Sequence, residues 1–407
     1  MGMFVNWGVY NLAWNKRRIS PWGPLPEKVT HRSWTTKIPI LGWLNMKHEV
    51  RQHGYLFWLR PFWIELAMGF FFGYAYSHFA SIADQITPTS DGSNEMLIWS
   101  PTISLFCMTT LLCIATFVDF DERMIPDEVT VFGTLIALVL AAFLPESRLL
   151  DTEALSNGLK IHLHAHSPKQ WFVWAKEPRV LLYCMGLLGF WGIASMPKIC
   201  TLRYGLKRGL QLMVASVLRP RRKSLAVGEK RRRKPFTITT IIAVSCMSGW
   251  AFFYAIWKWG DASQWESLFS AILGMTAGLL LVWSVRLIGS LAAKQEAMGF
   301  GDVTLMAMIG AFLGWQAVII TFFIAPFAGI IIGLVQALAR KGNELAFGPY
   351  LSLGAIIVVL FWSTIWERVA GVLERHISAV PFFLMLMLSA MGVMLYGWRM
   401  IKEKILA

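Results

Sequence analysis

Two aspartates stand at the edges of apolar runs: Asp119 ends FCMTTLLCIATFVD, and Asp302 opens DVTLMAMIGAFLGW. A carboxylate at the lip of an apolar span is costly to desolvate, which makes each a candidate for function. Two carboxylates within hydrogen-bond reach cannot both ionise easily, so one keeps a proton while the other stays charged. The charged partner can take a proton from water as general base, and the protonated one can polarise a carbonyl oxygen as general acid. Such a pair hydrolyses peptide bonds with neither a metal nor a covalent intermediate.

The neighbouring residues suggest how each acid is held. After Asp119 come Asp121, Glu122 and Arg123, then Ile125-Pro126-Asp127. Pro126 biases Ile125 away from helical geometry, and Asp127 is expected to cap a helix beginning near Val129. Asp302 follows Gly299-Phe300-Gly301. Glycines there let backbone and a bound chain approach closely, and the N-terminus of the next helix favours negative charge. Taken singly, each aspartate could be an ordinary helix cap. Taken together, they indicate a paired-acid site.

The elements that must position them are membrane helices. Of 407 residues, 56% are hydrophobic and 15% charged, against about 25% charged in ordinary soluble domains. The fold class expected is all-α, a polytopic membrane bundle of about nine to ten spans. Apolar stretches of spanning length fall near 62–80, 97–118, 129–145, 179–197, 237–258 and 265–290. The pair 303–313 and 317–339 follows, then 345–363 and 381–399. The 11 residues of 303–313 are short for a span, so a tilted or partly re-entrant helix is expected there. Residues 1–12 are apolar but too short to cross, which suggests an interfacial anchor or the tail of a longer helix. No cleavable signal peptide is evident.

Charge placement orients the spans. The 81–96 loop carries Asp84, Asp91 and Glu95 with no Lys or Arg, so it is expected outside; 198–235 carries LRPRRKSLAVGEKRRRK and is expected inside. Alternation then puts Asp119 and Asp302 at the same, cytoplasmic, face. The net charge of +14 is explained by this asymmetry and by attraction to anionic lipid headgroups. The basic run 219–234 has little aromatic interleaving, so no nucleic-acid partner is indicated. The five cysteines form no CxxC pair, and His162, His164 and His166 lie in an external loop, so no metal site is expected. Gly69/Gly73 and Gly329/Gly333 have the small-xxx-small spacing that permits close helix packing.

The Asp119…Ile125-Pro126-Asp127 pattern followed by GFGD resembles the prepilin peptidases, or type IV leader peptidases, which are GxGD-type intramembrane aspartyl proteases. Other phrases extend the likeness. MGMFVNWGVYNL resembles GSFLNVVIYRL, KIPILGWL resembles NIPxLSWL, LRPFWIEL resembles RYPxVEL, and FGPYLSLGAI resembles FGPFLALGAL. The resemblance carries the two catalytic aspartates onto Asp119 and Asp302. Gly299, Gly301, Pro126 and Asp127 then support the motifs, and Glu65 falls on the family's conserved-motif Glu. It implies cleavage of a short basic leader after a glycine, from type IV prepilin-like or pseudopilin precursors, at the cytoplasmic face of the inner membrane. Asp121, Asp127 and Glu65 become candidate contacts for the leader.

Departures qualify the likeness. No cysteines occupy the 20–60 segment, where family members usually carry two CxxC pairs. Proteolysis needs no cofactor, but the lost cysteines leave N-methylation, and with it S-adenosylmethionine, open. Thr304 stands where the family has Lys, and Ala297 where it has Gly. The expected organisation is 1–61 (partial helix and cytoplasmic segment), 62–145 (spans with the first Asp), 146–262 (an insertion with two spans), 263–365 (spans with GFGD) and 366–407 (an extra span and tail). The rival expectation is a catalytically degenerate scaffold of a pilus or secretion apparatus. Proton transport is disfavoured because no acidic or His chain crosses the bilayer. The oligomeric state and the particular precursor are not legible in the sequence.

Overall fold

A computed structural model describes residues 1–14, 34–45, 54, 56–86, 93–154, 160–164, 173–194, 235–293, 298–338, 347–375 and short pieces of 379–394. The described helices are α1 (Gly2–Leu12), α2 (Leu59–Ile86), α3 (Ser93–Glu122), α4 (Asp127–Phe143), α5 (Pro178–Ala194), α6 (Pro235–Trp259), α7 (Ala262–Ala293), α8 (Phe300–Leu313), α9 (Trp315–Leu338), α10 (Gly348–Leu360) and α11 (Trp362–Arg375). Among the described residues, Ile98–Glu122 and Ala262–Ala292 are long and apolar enough to cross a membrane, with Gly348–Val369 a third if its bent pair is one span. Helices α2, α4, α5, α6 and α9 fall on other expected spans. The basic run 219–234, His166 and about half of 381–399 lie outside the described residues.

At the centre is α8. Every residue from Asp302 to Leu313 is buried, so this helix is apolar on all sides because protein covers all sides. Its 14 residues agree with the short helix expected at 303–313. Helix α7 crosses it backbone against backbone. A β-carbon on Gly274 would lie 2.8 Å from Gly314 Cα, and one on Gly278 would lie 2.8 Å from the Met306 carbonyl carbon. Among the described residues no close packing is seen at Gly69/Gly73, where a β-carbon at either meets nothing within 4 Å. A small-residue seam runs instead through Gly274, Gly278, Gly310 and Gly314.

The far end of α8 is closed by a residue the sequence did not advertise. Gly314 turns the chain at φ 89°, a left-handed conformation cheap only for glycine. Arg148, 2% exposed, donates to the Ala311 and Phe312 carbonyls at 2.9 and 3.0 Å and to Ser267 O at 3.0 Å. A guanidinium there satisfies helix-end carbonyls and complements the negative pole of the helix dipole. The first part of the expected external insertion is therefore bound into the core.

Three local expectations change. The 146–178 loop includes a two-stranded antiparallel ribbon, β1 (Leu150–Ala154) with β2 (Lys160–His164), pairing Thr152 with His162. This is the one departure from an all-helical chain among the described residues. The expected 364–380 loop is largely α11, set at 84° to α10. Its Trp362 and Trp366 are buried and stacked 5.0 Å apart. Finally, α1 is not peripheral: it packs into the bundle through Val5, Val9 and Tyr10, and a β-carbon on Gly8 would lie 2.5 Å from Ile114 Cδ1.

Candidate active site

Asp119 occupies the last turn of α3. That helix stops because Arg123 adopts φ 55° while its N–H bonds the Asp119 carbonyl at 2.8 Å. A non-glycine residue held there costs on the order of 1 kcal/mol, so the backbone beside Asp119 is strained. The chain then passes through Ile125 and extended Pro126 into α4, whose first residue is Asp127. Asp127 was expected to cap a helix starting near Val129. Instead the helix starts at Asp127, Pro126 is its N-cap, and no side chain caps it.

Asp302 lies in the first turn of α8, three residues after the N-cap Gly299. Its carboxylate reaches back to the Gly299 N–H, the reciprocal half of a capping box. Asp119, in turn, accepts the N–H of Gly348, the first residue of α10. Two helix N-termini thus converge on two carboxylates, and each positive pole favours negative charge beside it. The residues are 5% and 7% exposed, and each lies within reach of the other's charge. Acids 183 positions apart in the chain are brought to one place.

Ile125 explains the convergence. A β-carbon on Gly301 would lie 2.9 Å from Ile125 Cβ, and one on Gly348 would lie 2.9 Å from Ile125 Cδ1. The Ile125 side chain is wedged between the GFGD turn and the FGPY turn, with room only for glycine at both. Gly299 is under no such constraint, its nearest contact being an ordinary 3.5 Å from Asp302 Oδ2. Thr304, where a Lys stood in the resemblance, donates to Gly301 O and accepts from Thr130, both at 3.0 Å. It locks α4 to α8 directly beneath the site.

Arg286 on α7 was not singled out by the sequence. Its Nε donates to Met298 O at 2.9 Å, its guanidinium lies 5.7 Å from the Phe300 ring, and its charge reaches Asp302. It braces the turn that carries Asp302. Gly348 and Tyr350 were visible only as letters in a resembling phrase, because nothing in their spacing to Asp119 marks them as its neighbours.

Two of the three candidate leader contacts, Glu65 and Asp121, have partners within the chain. Glu65 is 5% exposed and receives Asn6 Nδ2 at 3.0 Å, Trp43 Nε1 at 2.8 Å and the Ile40 N–H at 2.6 Å. It ties α1, the Leu41–Asn45 turn and α2 together, and helps hold Ile40 at φ 66°. Asp121 is paired with Arg60, whose Nη1 lies 2.9 and 2.7 Å from its two oxygens. Arg60 also bonds the Phe117 carbonyl at 3.2 Å and lies over the Phe117 ring. Glu65 thus braces the scaffold, while Asp121 stays partly exposed in its ion pair with Arg60.

The model of the type IV leader peptidase family matches residues 236–334. Among curated proteins, one from Aeromonas hydrophila is 36% identical over 102 residues, 24% of this chain and 35% of its own length. One from Pseudomonas aeruginosa is 37% identical over 98 residues, covering 23% and 34%, and one from Burkholderia pseudomallei 34% over 116, covering 28% and 37%. All three are named prepilin leader peptidase/N-methyltransferase. Over residues 236–334 the chain is therefore similar to the type IV leader peptidase family. The matches span about a third of the length of those relatives. No solved structure matches the chain. The family match includes Asp302 but not Asp119, and it begins inside the 146–262 stretch read as an insertion.

Proposed function

We propose that the chain is a membrane aspartyl endopeptidase that removes the leader from type IV prepilin-like or pseudopilin precursors, with Asp119 and Asp302 as its acid pair. The observation that carries this reading is the convergence of both buried carboxylates on the N-termini of α8 and α10. Two such poles support one shared negative charge, the state in which one acid is ionised and the other protonated.

In the reaction, the ionised aspartate takes a proton from water as the water oxygen bonds to the scissile carbonyl carbon. The carbonyl π pair moves to oxygen, which receives the proton of the second aspartate. The first aspartate then passes the proton it took from water to the leaving nitrogen as the C–N bond breaks. One hydroxyl of the diol returns its proton to the second aspartate as the carbonyl re-forms, restoring the one-proton pair. The substrate's apolar helix lies among the spans and delivers the bond to the lip. With Asp121 and Glu65 engaged, recognition rests mainly on that apolar helix. The site lies at the cytoplasmic face of the inner membrane, in a bundle of nine to ten spans surrounded by lipid. S-adenosylmethionine is a cofactor only if methylation is retained.

Co-expression with a precursor whose basic leader ends in Gly tests the proposal. Asp119→Asn and Asp302→Asn should each abolish processing while membrane insertion continues. Near-normal processing by either variant refutes the pair, and an inactive wild-type chain that still binds precursor favours the scaffold alternative.

A further inference from the structure

Tyr350 carries a group that the acid-pair mechanism leaves unused. It stands two residues after Gly348, whose N–H binds Asp119, in the first turn of α10. Its ring is held from two sides, edge-on to Phe347 at 6.1 Å and against Gly329 of α9, where a β-carbon would lie 3.3 Å from the ring. The residue is 3% exposed, and among the described residues its hydroxyl has no hydrogen-bond partner. Buried hydroxyls are ordinarily paired, and leaving one unpaired is costly. This one also lies within the field of Asp119 without bonding to it, so its donor hydrogen is available to a third oxygen beside that carboxylate.

Resting on the acid-pair reading, we infer that Tyr350 is a further catalytic residue whose hydroxyl donates a hydrogen bond to the scissile carbonyl oxygen. The proton stays on the phenol throughout. The bond strengthens as the carbonyl π pair moves onto oxygen during attack by water, and it holds that oxygen next to the protonated aspartate. A donor aimed at charge that exists only in the transition state lowers the barrier without tightening substrate binding. The ring contacts with Phe347 and Gly329 fix the phenol in advance, so no reorganisation is needed when the charge appears.

The test removes one oxygen atom. Tyr350→Phe keeps the ring and its contacts, and because the lost hydroxyl has no partner among the described residues, the melting temperature and folded yield of the purified full chain should not fall. With a synthetic precursor peptide as substrate, kcat should fall on the order of 100-fold with KM little changed. Wild-type kcat in Tyr350→Phe overturns the inference. So does a parallel loss of melting temperature and activity, which would make the hydroxyl a structural one. Asp119→Asn measured alongside separates the two levels: an active Asp119→Asn removes the acid pair itself, whereas inactive Asp119→Asn with fully active Tyr350→Phe removes only the tyrosine.

Discussion

Replacing Gly348 with alanine probes the site through a single methyl group. That methyl would lie 2.7 Å from Asp119 Oδ2, 3.4 Å from Asp119 Cγ and 2.9 Å from Ile125 Cδ1. Comfortable contacts between such atoms are about 3.5 Å. The Ile125 methyl can rotate aside, but the carboxylate is tied to the Gly348 N–H and must retreat by roughly 0.8 Å, lengthening that bond. Overpacking of this kind costs about 1–3 kcal/mol of stability, which a protein with about 5–15 kcal/mol to lose survives. A displacement near 1 Å in a reacting group, by contrast, costs about 100-fold in rate. Gly348→Ala should therefore fold and insert, yet cleave a precursor about 100-fold more slowly per folded molecule. Gly69→Ala is the control: its methyl meets nothing within 4 Å, and removing a mid-helix glycine gains about 0.5–1 kcal/mol. Cleavage by Gly348→Ala at the wild-type rate would refute the placement of Asp119 against α10.

Other substitutions address the scaffold. Gly274→Ala places a methyl against the Gly310 and Gly314 backbones, which cannot rotate away; a melting-temperature loss matching 3 kcal/mol or more is expected, towards or beyond the upper end for overpacked cores, and thermal denaturation in detergent checks it. Glu65→Ala strands the Asn6, Trp43 and Ile40 donors; at about 1.5–3 kcal/mol per charge-assisted bond, folded yield should collapse, whereas a well-folded variant with raised KM would restore Glu65 as a leader contact. Arg148→Met uncaps the Ala311 and Phe312 carbonyls and should cost about 2–4 kcal/mol, again read as a loss of melting temperature.

The helices themselves were plain in the sequence, because an apolar run of spanning length constrains structure strongly. Observed helices begin or end close to most expected spans, and both acids were found from their positions at the ends of such runs. What could not be read were the partners of those acids. Hydropathy records whether a residue avoids water but not which helix it touches, so nothing linked Gly348 to Asp119 or Ile125 to Gly301. The glycine contacts were legible only in part for the same reason: Gly329 does meet Tyr350 closely, whereas Gly69/Gly73 and Gly274/Gly278 share one spacing and only the fold decides which pair faces a helix. Glu65 and Asp121 looked available because their partners, Trp43 and Arg60, lie 22 and 61 residues away. Arg148 was overlooked because an arginine in an expected external loop is ordinarily solvated.

Proximity of the two acids is best measured directly. With Cys107, Cys113, Cys184, Cys200 and Cys246 replaced, the double variant Asp119→Cys/Asp302→Cys can be treated in native membranes with an oxidant and a short thiol cross-linker. Rapid, near-complete cross-linking within single molecules is expected, while Asp119→Cys/Asp121→Cys, with the second thiol directed towards Arg60, reacts poorly. Two thiols at 119 and 302 that remain free and separately alkylated would contradict the account.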